Sequence, residues 1–276
     1  MTKAKKKSAY DIVSIIILAV LAVLFIFPLY WIITGSLKTA QEINAARPVW
    51  FPMAATLENY ARLFQQPAFR WLFNTVVMAV SAMVLTCITA SLSGYVLAKK
   101  RFIGRNFIFT LMVCAMALPK QVILIPLLKE MSVLGIHNTL LSVILPTVGW
   151  PFGVFLIKQF SEGIPTELLE AARIDGAGEM KTFLNVVIPI IKPGIGALAI
   201  FTFISSWNDY FLQLIMLNSK TNLTISLGIA QIQAEMATDY GLIMAGAALA
   251  AVPIIIVFLL FQKYFTQGIT MGAVKG

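Results

Sequence analysis

The sequence has 276 residues, of which 59% are hydrophobic and 12% charged, and its formal net charge is +9. Soluble domains carry roughly 25% charged residues, so this composition, with a mean hydropathy of +0.86, excludes an ordinary water-soluble globule. The charges are clumped between apolar runs long enough to cross about 30 Å of hydrocarbon, so the basic excess reads as topogenic charge and not as a nucleic-acid surface.

The first run, Ile12 to Ile33, follows Lys3, Lys5, Lys6 and Lys7. It exceeds the about 7–15 residues of a cleaved signal segment and is expected to stay as an uncleaved first helix. Five further spans are expected from Trp71 to Leu97, Phe107 to Leu128, Leu140 to Phe160, Ile188 to Met216 and Gly241 to Phe265. The fold class is therefore an all-α membrane protein of six transmembrane helices, one domain over residues 1–276. Pro119, Pro126, Pro146, Pro151 and Pro253 fall inside spans and predict kinks, because neighbouring helices can satisfy the carbonyls that proline frees.

Orientation follows from the loops that hold Lys and Arg. With the N-terminus inside, Lys38, Arg47, Arg62, Arg70, Lys120, Lys129 and Lys220 lie outside or within spans, and the other 14 of the 21 basic residues lie inside. Both termini are thus expected in the cytoplasm, with outer loops near 38–70 and 217–240 and an inner loop at 161–189. Cys87 and Cys114 sit in apolar runs and read as buried thiols, His137 reads as a loop residue, and no metal-ligand spacing is present.

The inner loop is the informative segment. Thr166 can N-cap a helix with Glu167 and Glu170 in its first turn, and Gly176 stands where a terminating glycine would. The helix is about nine residues, roughly 14 Å long. Leu168, Ala171 and Ala172 form a small apolar stripe with Glu170 and Arg173 beside it. A second helix is expected to start near Gly178 and to end before Pro189. Two alanines admit a close backbone and flanking charges fix register, which suits a knob inserted into a cleft of a soluble partner. The alternative is an interfacial helix on lipid headgroups, for which the stripe is small.

Glu170-Ala171-Ala172, three residues, Gly176, nine residues and Val186-Val187-Ile188-Pro189 resemble the EAA motif of type I ABC-importer membrane subunits. That family usually closes on Ile-x-Leu-Pro, from which Val186 and Ile188 are conservative departures. The run Glu170-Ala-Ala-Arg-Ile-Asp-Gly-Ala is similar to the carbohydrate-importing branch, the MalG-like permeases. Pro28-Leu-Tyr-Trp31, Glu58-Asn-Tyr60, Phe73-Asn-Thr75, Trp207-Asn-Asp209 and the tail Gln262 to Ile269 agree in order and spacing.

The resemblance implies a MetI-like fold in a bacterial cytoplasmic membrane. The chain would be a multi-pass, non-catalytic permease subunit of an ATP-driven sugar importer, an oligosaccharide importer above all. Its implied partners are a second, MalF-like permease, an ABC ATPase dimer, an extracytoplasmic sugar-binding protein, the sugar and the lipid bilayer. Glu170, Ala171, Ala172, Arg173, Asp175 and Gly176 would couple to the ATPase. ATP and Mg would be bound by that partner, since this chain lacks a Gly-x4-Gly-Lys-Ser/Thr loop and needs no cofactor of its own. The tail Gln267 to Gly276 would lie near the ATPase interface, and Gln231, Gln233 and Glu235 would meet the binding protein.

Trp207, Asn208 and Asp209 are a polar-aromatic cluster in an apolar run, suited to sugar C–H faces and hydroxyls and a candidate for the substrate path. Equally, Asp209 reaches interfacial water or Asn208 stitches helices together. Asn74 is a path candidate for which helix packing is the simpler reading. Competing classes are a type I permease for another solute, such as an amino acid or phosphate, and an ion-coupled secondary transporter. The latter wants internal repeats and mid-span carboxylates, and only Asp209 offers one.

Overall fold

The computed structural model describes residues 9–235 and 239–273. Lys3, Lys5, Lys6, Lys7, Lys275 and the end of the C-terminal tail lie outside the described residues. In chain order the helices are α1 (Ala9–Ser36), α2 (Ala40–Ile43), α3 (Glu58–Leu63), α4 (Ala68–Lys99) and α5 (Arg105–Met116). There follow α6 (Leu124–Val133), α7 (Leu141–Val148), α8 (Phe152–Glu162), α9 (Thr166–Ile174) and α10 (Glu179–Thr182). The last four are α11 (Ile188–Asn208), α12 (Tyr210–Met216), α13 (Ile225–Glu235) and α14 (Tyr240–Ala273). Among the described residues five stretches can cross a membrane by length and composition, and six when the bent pair α5 and Lys120–Val133 counts as one.

Two of the expected spans are redrawn. The third is broken: its halves meet at 100° around Leu118–Pro119, a sharper bend than a proline kink alone. The fifth begins nine residues before Ile188, at Glu179, and ends at Asn208. The loop's second helix therefore does not stop before Pro189. A π-helical stretch at Phe183–Val187, closed by the Ile188 N–H on the Phe183 carbonyl, carries the chain through. The wider turn leaves room for a proline ring that has no N–H to give. At the far end Asp209 starts a new helix, accepting the Leu212 N–H at 3.3 Å. Among the described residues of 217–240 the chain forms α13.

The chain gathers into two units. The first comprises residues up to 68 and 229–251. In it the Asn59 amide donates to the carbonyls of Ser36 (3.0 Å) and Lys38 (2.9 Å), satisfying the end of α1. The Tyr60 hydroxyl lies 2.9 Å from Ser36 Oγ, which gives Glu58-Asn-Tyr60 its structural work. Thr39 and Glu42 form a reciprocal capping box on α2. Glu42 also accepts the Met53 N–H at 2.6 Å, clipping the loop between α2 and α3.

That clip is pH-sensitive. The N–H groups of Thr39 and then Met53 hold the Glu42 carboxyl below its ordinary value of 4.5. A lowered carboxylate pKa stabilises above the unfolded value and the contribution is lost as pH falls through the folded one. Protection of the Met53 amide, taken as the ratio of intrinsic to observed exchange at each pH, is therefore expected to fall below about pH 4.5, and Glu42→Ala is expected to show the low protection already at neutral pH.

The second unit comprises 69–228 and the residues from 252 onward. Its helices approach closely where side chains are small. Gly153 faces Ala90 and Thr86 across the α8–α4 crossing, and a Cβ on Gly94 would stand 2.8 Å from the Lys158 backbone. Ala90, Tyr95, Ile157, Leu169, Phe183, Val187, Ile191 and Leu198 form one buried cluster. It joins α4, α8 and α11 to the short helix α9.

Candidate functional site

Helix α9 is the piece of the inner loop that the motif marks. Its first residue is Thr166; the N-cap position is held by Pro165, and the Thr166 hydroxyl does not cap it. Termination is as expected from sequence. Gly176 takes φ +76, and the N–H groups of Gly176 and Ala177 return to the carbonyls of Arg173 (3.0 Å) and Ala172 (2.9 Å). That pair of bonds is a Schellman closure, which asks for a left-handed residue at this place.

Burial assigns the faces. Leu169, 7% exposed, is the anchor into the cluster, a contribution of about 2 kcal/mol for a buried leucine. Ala172 is half-buried beside it. Leu168, Ala171, Glu167, Glu170 and Ile174, the last 86% exposed, form the outward face. The stripe expected from sequence is thus split, with Ala172 turned toward the chain and Ile174 added outside. Arg173 turns back to Glu179 at 3.2 Å, and Glu179 is also paired with Lys100. Asp175 is the exposed C-cap residue.

Lys99 completes the frame. Its ammonium donates to the carbonyls of Glu162 (3.1 Å) and Ile164 (2.6 Å), closing the C-terminal end of α8. Residues that read as topogenic charge in the sequence therefore clamp α8, α10 and the connection into α9. The arrangement is a small exposed knob whose anchor, Leu169, is buried in the cluster shared with α4, α8 and α11.

The second set of site residues separates in space. Trp207 is 1% exposed and packs on Phe203 with ring centroids 5.5 Å apart. Asn208 is exposed and donates to the Ile204 carbonyl at 2.9 Å within its own helix. Asp209 lines a cleft with Lys120, Trp150 and Thr147. There Lys120 Nζ lies 4.0 Å from Asp209 Oδ2 and 4.9 Å from the centre of the Trp150 ring. Lys120 and Trp150 were not among the residues that the sequence reading singles out. Both follow breaks in apolar helices, at Pro119 and at Gly149 before Pro151, and that is the signal the sequence carries.

Asn74 fastens a loop. Its amide donates to the carbonyls of Thr221 and Leu223, each at 2.9 Å, and Thr75 Oγ1 accepts the Ile225 N–H at 2.8 Å. The same loop is held from the other side by Asn138, whose φ is 59. Asn138 Oδ1 accepts the N–H groups of Asn218 (3.0 Å) and Ser219 (3.1 Å). Of the remaining three, Gln231 donates to Glu235 at 2.9 Å along α13, while Gln233 and Glu235 are exposed.

Comparison with known proteins covers nearly the whole chain. The family model described as "Binding-protein-dependent transport system inner membrane component" matches residues 90–271. The arabinooligosaccharides transport system permease protein AraQ of Bacillus subtilis is 36% identical over 273 residues, covering 98% of this chain and 97% of that protein. The maltodextrin transport system permease protein MdxG of the same species is 33% identical and covers 100% of both. The lactose transport system permease protein LacG of Rhizobium radiobacter is 32% identical, with 96% of each chain covered. Among solved structures, a bacterial ABC transporter involved in the import of alginate superposes with TM-score 0.84 at 22% identity, covering 96% of this chain and 99% of that one. That likeness shows the type I importer permease fold. The chain belongs to the family of inner-membrane components of binding-protein-dependent transport systems, as an ABC-importer permease, and these relatives within it are permeases of sugar transport systems.

Proposed function

We propose that this chain is one of two permease subunits of an ATP-driven oligosaccharide importer in a bacterial cytoplasmic membrane. The observation that carries the sugar class is end-to-end similarity to permeases named for arabinooligosaccharides, maltodextrin and lactose. The fold alone does not discriminate, since a methionine ABC transporter shares it at TM-score 0.55.

In this reading the chain makes no bond and breaks none. Nucleotide and Mg belong to a partner ATPase dimer, and this chain converts closure of that dimer into movement of its helices. The exposed face of α9, with Glu170 and Ala171, enters a groove on the ATPase, while Ala172 and the Arg173–Glu179 pair hold the knob in place. Lys99, Lys100, Lys158, Arg173 and Lys181 near this loop support a cytoplasmic placement and hence both termini inside. A second, MalF-like permease lines the path with it. The exposed end of α13, at Gln233 and Glu235, is turned to a sugar-loaded extracytoplasmic binding protein.

The test is uptake by proteoliposomes holding the two permeases, the ATPase and the binding protein, offered labelled arabinotriose, maltotriose, lactose and, as controls, methionine and phosphate. Uptake of a sugar that needs both ATP and binding protein is expected. Transport that persists without the ATPase, or that is confined to the controls, would overturn the reading.

A further inference from the structure

Three apolar helices break beside one another in the second unit: the third span at Leu118–Pro119, the fourth at Gly149–Pro151 and the fifth at Asp209. The three breaks place Lys120, Trp150 and Asp209 around the same cleft, whose remaining walls include Leu124, Thr147 and Leu212. Interrupted helices inside a membrane are tolerated where the freed backbone lines a cavity or is buried in protein. Resting on the proposed sugar-importer reading, we propose that this cleft is a binding site on this chain for one neutral sugar ring of the transported oligosaccharide.

The chemistry is specific to that ligand. An aldose ring has one face of C–H groups and a girdle of hydroxyls. The Trp150 indole supplies an apolar face of matching size, Asp209 accepts from vicinal hydroxyls, and Lys120 donates to another. One cation and one carboxylate cancel, so the cleft carries no net charge that would call for a charged ring.

The empty cleft also occupies itself. Lys120 stands over the indole, 4.9 Å from its centre, in a cation–π contact, and its 4.0 Å to Asp209 is just beyond a hydrogen bond. A sugar ring laid on Trp150 displaces the ammonium toward Asp209, trading one contact for the other. Binding is therefore weak by construction, which suits a station on a path that the sugar must leave.

The test uses the assembled importer in proteoliposomes. Trp150→Ala is expected to lower uptake of the neutral trisaccharides by at least about tenfold, while Trp150→Phe, which keeps an aromatic face, stays within about threefold of the parent. As a second measurement, Lys120→Cys is introduced with Cys87 and Cys114 changed to alanine, and its alkylation is timed in the assembled complex. Saturating maltotriose or arabinotriose is expected to slow alkylation at least about threefold, as a ring resting on the cleft would. If the parent transports sugar and Trp150→Ala transports as well, the site falls and the importer reading stands. If the parent carries no sugar, both fall. Should Trp150→Ala fail to assemble, alkylation decides: a rate unchanged by sugar overturns the site.

Discussion

Replacing Gly176 with valine is expected to cut ATP-dependent uptake at least about tenfold in a complex that still assembles, and Gly176→Asn to cost far less. A Cβ at Gly176 would meet nothing within 4 Å, so sterics against neighbours are not involved. The cost is in the backbone alone, because φ is +76. An L-residue pays about 1–2 kcal/mol for that conformation, a β-branched one more, and asparagine least. The cheaper response for valine is to unwind the last turn of α9, which forfeits the N–H bonds to Ala172 and Arg173 and pulls Arg173 from Glu179. The knob then persists but points elsewhere. Glu170→Ala is the companion change. Among the described residues Glu170 has no hydrogen-bond or ion-pair partner, so its removal leaves this chain intact and is felt only by what α9 touches. Parallel measurement of ATP hydrolysis and uptake separates coupling from assembly. Unchanged coupling in both variants would show that α9 is not the docking element.

The second large effect is structural and concerns Gly228. Its missing side chain makes room for the Trp71 indole: a Cβ built there would fall on the ring atoms Cε3, Cδ2 and Cζ3. Trp71 has no easy retreat, being fully buried with its N–H donated to the Lys220 carbonyl at 2.7 Å. Gly228→Ala is therefore expected to destabilise by about 3 kcal/mol, the upper range for overpacking, read as a lower aggregation temperature in detergent. Trp71→Phe trims the ring where the clash occurs and forfeits the Lys220 bond, costing about 1–2 kcal/mol alone. The double variant Trp71→Phe with Gly228→Ala should be more stable than the sum of the two singles predicts. Simple additivity would mean that the two residues do not share the space the structure gives them.

How far the sequence led can be judged residue by residue. Spans one and two were legible within a turn, because hydropathy and length decide them: Ile12 to Ile33 against Ile12–Ser36, and Trp71 to Leu97 against Ala68–Lys99. The end of α9 was legible too, since a glycine after an amphipathic run has one common use. Proline was legible as a source of kinks, as at Pro119, but the size of each bend was not. Pro119 sits at a 100° bend, whereas Pro189 is absorbed without one, and only the surroundings differ. Contacts of high sequence separation were equally silent. Asn138 holds residues about eighty positions away, and its one local hint was a Gly-Ile-His-Asn-Thr turn. Trp207, Asn208 and Asp209 are adjacent in sequence but face three directions, since successive helical residues are about 100° apart and the helix stops at the third.

Helix α1 has a consequence of another kind. Its apolar window buries nothing within the chain, in contrast to the 39% of the α4 window that is buried. The chain holds only the last turn of α1, at Gly35 and Ser36, so the amide protons of the window before it would measure the solvent that surrounds the protein and not the protein's own cohesion. Transfer from a thick bilayer to a small detergent belt should register first there. The helix is a built-in gauge of the environment, and its signal can be subtracted when the stability of the remaining spans is at issue.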